Sequence, residues 1–198
     1  MRHKTVVRTG AILLAASTLA LAGCADMQPN GPGPVTGAPY GYAPPPPARP
    51  MEGGFNPQEF AWSVNGGPGE IAAHVAYRSV SGERWTCSGQ VIALIPATHY
   101  SAERMQVLYG SQARAVVPAV EVRNRNAARP GIDYGRYVRT ATCDARDAMG
   151  FARLPIGPYF LIARARPRGH NAGPNDGVVI MQRLDVGPGL THVILPTP

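Results

Sequence analysis

From Met51 onward a glycine or proline interrupts the chain every 10 to 20 residues, and the apolar runs between these breaks are short. No other feature limits the fold as strongly. A helix interior loses about 1 kcal/mol at a glycine and about 3 kcal/mol at a proline, whereas short strands joined by turns accommodate both at their ends. Six stretches have the length and β-branched or aromatic content of strands: Ile71–Val80, Gln90–Pro96, Gly135–Cys143, Tyr159–Arg166, Gly177–Val186 and Leu190–Leu195. Val117–Val122 is a weaker seventh. Only "SAERMQVLYG" reads as a helix, with Ser101 as cap, Glu103 in the first turn and Gly110 as terminator. One helix among six or seven strands predicts an all-β sandwich.

The N-terminal quarter is built differently. Arg2, Lys4 and Arg8 precede an uncharged run, "AILLAASTLALA", of about 12 residues, well short of the roughly 20 that span a bilayer. It is an export signal that ends Leu21-Ala22-Gly23-Cys24, a sequence that resembles the bacterial lipobox. The resemblance implies cleavage before Cys24 and a diacylglycerol on its sulfur. Buried acyl chains contribute about 0.8 kcal/mol per CH₂, so several would hold the chain at a membrane without a spanning helix. Ala25, rather than aspartate, follows the cysteine, and by the same resemblance favours the outer membrane. Met27–Pro50 then carries nine prolines and four glycines with almost no aliphatic side chain, the composition of a disordered spacer. The expected division is residues 1–23 as signal, 24–54 as lipidated cysteine and tether, and 55–198 as a folded head.

Removing the signal takes away three of the 19 basic residues, leaving sixteen arginines against twelve acids, a net charge of +4. That modest excess, in an exported chain without a recognition motif, argues against nucleic-acid binding. With Cys24 lipidated, Cys87 and Cys143 remain, and an oxidising envelope predicts one disulfide between them.

The segment "CDARDAMGFARLPIGPYFLIARAR" resembles carboxypeptidase regulatory-like domains through Asp144, Asp147, Gly150, Phe151, Leu154, Pro155, Gly157 and Tyr159. Upstream, "TCSGQVIALIPATHYSAERM" is similar to envelope members of that group, and the likeness runs from Ile71 to Leu195. It implies a transthyretin-like seven-stranded sandwich and no enzymatic activity. The residues have a reading of their own. Gly150 and Gly157 suit positive φ at corners, Pro155 stiffens a hairpin turn, and Tyr159, Leu161, Ala163 and Ala165 share a core-facing side by period two. Phe160, Ile162, Arg164 and Arg166 share the other.

Chemistry is sparse. G-x-S-x-G, H-E-x-x-H, P-loop and G-x-G-x-x-G patterns do not occur, and His74, His99, His170 and His192 are dispersed. No cofactor or metal is expected. Asp144 and Asp147 before Gly150 suggest a calcium loop as one reading and turn-capping aspartates as the other. Arg164, Arg166 and Arg168 form a basic row that could dock an anionic glycan or an acidic envelope protein, or simply a solvated strand. Together these features predict a non-enzymatic envelope lipoprotein, monomeric in its folded part, that binds or scaffolds an envelope component. The alternatives are an accessory lipoprotein of a secretion assembly, since the small lipoprotein of type VI machines is also a transthyretin-like sandwich, and a cell-wall hydrolase. Replacing the lipidated side chain, Cys24→Ser, should move the protein from the membrane to the soluble fraction in cell fractionation; retention at the membrane would refute the lipobox assignment.

Overall fold

The computed structural model describes residues 54–169, 173 and 176–195. The signal, Cys24, the tether up to residue 53 and His170 lie outside the described residues. Among those described, no helix is long and apolar enough to cross a membrane. A 3₁₀ turn at Pro57–Ser63 precedes β1 (Gly69–Val75), β2 (Trp85–Thr86), β3 (Val91–Pro96), α1 (His99–Tyr109), β4 (Arg114–Pro118) and α2 (Ala119–Ala128). A second 3₁₀ turn at Gly135–Tyr137 leads to β5 (Arg139–Thr142), β6 (Ala148–Leu154), β7 (Gly157–Pro167), β8 (Val178–Val186) and β9 (Gly189–Leu195).

Two sheets form a sandwich. The smaller has the order β6-β1-β9, with β1 antiparallel to β6 and parallel to β9. The larger runs β4-β8-β7-β3-β5, and β2 adds to the end of β7. Its spine is the β7–β8 hairpin, paired from Gly157↔Val186 to Ala165↔Val178. Period-two alternation puts Ile71, Ala73 and Val75 of β1 against Tyr159, Leu161, Ala163 and Ala165 of β7, all of them buried, as the sequence predicts for β7. Gln182 shares that inner face of β8, and its side-chain oxygen is buried without a partner among the described residues.

The other face of the larger sheet is also covered. Ile95, Phe160 and Met181 pack against Met105, Leu108 and Tyr109 of α1, with Val122 of α2 alongside. The molecule therefore has three layers, small sheet, large sheet and helices. It has nine strands among the described residues, not seven, and two α-helices where the sequence predicts one.

The differences have local causes. The helix begins at His99, because Thr98 is the cap; Ser101 is the third helical residue and returns its hydroxyl to the Thr98 backbone in a capping box. Gly110 ends it at φ +74° as expected. Beyond Pro118 the predicted seventh strand turns into α2, with proline at the N-cap fixing the entry. Gly150 lies within β6 and lacks positive φ; the left-handed residue at that corner is Asp147, at φ +64°.

"LPIGPY" is not a hairpin. β6 pairs with β1 and β7 with β8, so Pro155–Ile156 carries the chain from one sheet to the other. The corner is held by the Tyr159 hydroxyl, which donates to the Pro155 carbonyl at 3.0 Å. Gly157 sits at φ +153° beneath the Trp62 ring, where an added Cβ would come within 2.6 Å of that ring. Tyr159→Phe leaves a buried carbonyl unpaired and should lower stability by about 1–3 kcal/mol in urea unfolding. Gly157→Ala should cost more, and an unchanged midpoint for either variant would remove this corner from the account of stability.

Candidate functional site

Cys87, just past β2, and Cys143, just past β5, are joined as a disulfide with Cα atoms 5.7 Å apart. The bond closes a separation of 56 residues, worth about 4 kcal/mol on the loop-entropy account. Beside it lies Asp147, fully buried. Its carboxylate accepts from the Cys87 N–H at 3.0 Å, from the Thr86 hydroxyl and from the Arg168 guanidinium at 2.7 Å, with Arg84 at 3.7 Å. Cys87, Cys143 and Asp147 lie close enough to hold a metal, but disulfide sulfurs offer no thiolate.

Asp144 has different partners. Exposed, it accepts backbone N–H bonds from Arg146 and Ala148 at 2.8 Å each, and these hold its carboxyl below the usual value. The two aspartates thus serve a turn cap and a buried ion pair, and the calcium-loop reading gives way to the capping one for Asp144.

The arginine row is likewise divided. Arg164 donates to the carbonyls of Gly173 and Asp176, beyond the end of β7. Arg168 neutralises Asp147. Only Arg166 has a side chain with no partner among the described residues, its backbone pairing with Thr86. Three guanidiniums in line do not form one free docking surface. The described histidines remain dispersed: His99 meets Glu103 at 3.6 Å on α1.

A concave site occurs instead where sequence periodicity is silent. Phe55, Phe60, Tyr100, Tyr134 and Tyr137 form an aromatic cluster that joins the first 3₁₀ turn, the start of α1 and the second 3₁₀ turn. Phe60 stacks on Tyr137 with centroids 4.7 Å apart, and Phe55 and Tyr134 meet Tyr100 edge-on at 5.3 and 5.7 Å. Such pairs each add about 0.5–1.5 kcal/mol beyond burial, enough to position loops that lack a sheet ladder. Arg104 of α1 braces this wall from beneath. It is buried with no carboxylate partner among the described residues, and donates to the Asn126 side chain and the Arg129 carbonyl at the C-terminal end of α2, where the helix dipole favours a cation.

Two clefts flank the wall. The larger, about 420 Å³, is lined by Pro57, Gln58, Ala61, Val64, Arg136 and Tyr137. The smaller, about 220 Å³, is lined by Ile95, Ile132, Asp133, Tyr134, Gly135 and Val138. Arg136 lies over the Tyr137 ring, 4.6 Å from its centroid, and donates to its hydroxyl. The signal in the sequence was aromatic density in "FNPQEFAW" and "DYGRY"; the sequence assigns Gly135–Tyr137 of the latter to a strand, whereas the structure makes them a 3₁₀ turn and starts β5 at Arg139.

With the geometry in place, comparison with known proteins bears on the fold. No family model matches the chain, and no curated protein matches it. Among solved structures it is similar to a proposed carbohydrate-binding protein from Pseudomonas aeruginosa, at 24% identity and TM-score 0.51, over 73% of this chain and 97% of that one. A pilus backbone protein from Streptococcus pneumoniae aligns at 11% identity and TM-score 0.30, over 61% of this chain and 34% of that one. The first defines the class: a β-sandwich domain with the fold of the Pseudomonas protein across nearly all of that protein's length.

Burial pushes the Tyr134 hydroxyl up to about 12, with Arg104 acting in the opposite direction, and raises Tyr77, Tyr109 and Tyr159 as well. Their folded values exceed the unfolded value near 10, so the stability they confer is complete below about pH 10 and is lost as pH rises through the folded values. Urea unfolding at about pH 8 and pH 11 should show a lower midpoint at the higher pH. Tyr134→Phe should shrink that difference; an unchanged difference would exclude Tyr134 from it.

Proposed function

We propose that this chain is a non-enzymatic lipoprotein of the bacterial envelope, held by lipid at Cys24, whose sandwich binds a carbohydrate of that envelope. The observation that carries the reading is the composition of the larger cleft. Pyranose rings combine apolar C–H faces with equatorial hydroxyls, and protein sites meet them with apolar or aromatic surface flanked by a few fixed polar groups. Ala61, Val64 and Pro57 provide the first; Gln58, Arg136 and the Tyr137 hydroxyl provide the second. The fold likeness to a proposed carbohydrate-binding protein points the same way.

The assignment to the carboxypeptidase regulatory-like group is part of this proposal. It draws on the sheet-to-sheet corner at "LPIGPY" with its Tyr159–Pro155 bond, a folding role that needs no catalytic residue. An export signal, a spacer and a disulfide-stapled sandwich suit an outer-membrane protein that presents its binding face beyond the lipid surface.

Purified protein should co-sediment with isolated envelope polysaccharide or sacculi without releasing soluble sugar. Val64 is 63% exposed at the cleft, so Val64→Glu should weaken co-sedimentation about ten-fold while leaving thermal unfolding unchanged. Failure to associate with any envelope glycan would overturn the reading, and release of sugar would reassign the protein to the hydrolases.

A further inference from the structure

Arg136 is the one charged residue lining the larger cleft, and among the described residues no carboxylate lies within ion-pair distance of it. An exposed arginine ordinarily samples many rotamers, but this one is held. Its guanidinium lies on the Tyr137 ring and donates to the hydroxyl of the same residue. Tyr137 is in turn buried and stacked on Phe60, which is fully buried. The support is aromatic and uncharged, so the cation is oriented without being neutralised. Gln58 stands in the same lining with no partner for its side-chain amide among the described residues.

We propose that this cleft takes an acidic saccharide: the sugar carboxylate pairs with Arg136, hydroxyls bond to Gln58, and the C–H face lies against Ala61 and Val64. The proposal rests on the carbohydrate-binding reading and narrows it to a ligand class. A planar guanidinium matches a carboxylate through two parallel N–H donors, and such charge-assisted bonds are roughly twice as strong as neutral ones. A neutral sugar would displace water from the cation and return no charge. At about 420 Å³ the cleft is at the lower end of the ~300–1,000 Å³ range of ligand sites, which suits one or two sugar rings. No acidic side chain in the lining competes for the arginine.

The full-length protein in detergent micelles would be titrated calorimetrically with oligomers of galacturonic, glucuronic and N-acetylmuramic acid, each beside its neutral counterpart. At least one acidic oligomer should bind about ten-fold more tightly than its neutral partner, a preference of about 1.4 kcal/mol. Arg136→Ala should reduce that preference to within about two-fold, and Arg136→Lys, which keeps the charge but loses the flat fork, should retain only part of it. Equal affinity for the members of every pair overturns the acidic specificity and leaves carbohydrate binding standing. Binding of none of them overturns both readings. A preference that survives Arg136→Ala overturns the assignment to this cleft. Should that variant fold poorly, Gln58→Ala decides, because it should weaken both members of a pair alike, and no change in either would place the ligand elsewhere.

Discussion

β7 is buried on both faces, and the rest of the domain is arranged to make that so. Tyr159, Leu161, Ala163 and Ala165 need one apolar partner layer, and Phe160 with Ile162 needs another. A two-layer sandwich would leave the second set in water, at roughly 25 cal/mol for each Å² of apolar surface exposed. The small sheet covers one face and α1 with α2 the other. The larger sheet thus acquires an interior character usually associated with central strands of α/β folds, although its own pairings are antiparallel. The LPIGPY corner is the hinge of this plan, since it hands the chain from the small sheet to the strand that both layers enclose.

Arginine is the second organising theme. Arginines outnumber acids sixteen to twelve after Cys24, so not every guanidinium can have a carboxylate. Several bond carbonyls: Arg104 that of Arg129 at the end of α2, Arg139 those of Ser63, Asn65 and Arg153, and Arg164 those of Gly173 and Asp176, while Arg125 holds the Leu108 carbonyl in addition to Glu121. A guanidinium carries five donors in a fixed fork, so one side chain can tie two or three backbone oxygens together where no ladder does. An arginine-rich surface pattern is therefore a poor guide to ligand binding in this chain. Arg136 differs because its support comes from an aromatic ring and a phenolic hydroxyl, leaving the charge unneutralised.

Much of the fold was legible. The strands whose alternation is sustained, β1, β3, β7, β8 and β9, lie where periodicity puts them, within a few residues. β6 was not legible because Gly150 reads as a corner residue; the strand accommodates it beside the Ile71 carbonyl, and Arg153 bulges at φ +53° near the strand's end. α2 escaped notice because "PAVEV" has strand-like alternation, and the proline at its N-cap, not the apolar period, decides the conformation. The cleft was least legible of all. Gln58, Arg136 and Tyr137 lie 78 and more residues apart or in short 3₁₀ turns, where no repeat relates one side chain to the next.

By itself the sequence determined what local chemistry can encode: a mostly β sandwich favoured by glycine and proline, though not the helical layer over it, the inward face of β7 set by a period of two, and a cysteine pair available for one bond. Tertiary structure alone decided the partners. It assigned Asp147 to Arg84 and Arg168 and Asp144 to a turn, divided the apparent arginine row between a loop and an ion pair, and brought Pro57–Val64 beside Arg136 and Tyr137. The physical reason is that strands and turns are specified by neighbours a few residues away, whereas a guanidinium is specified by whichever oxygen or ring the packed fold places within reach.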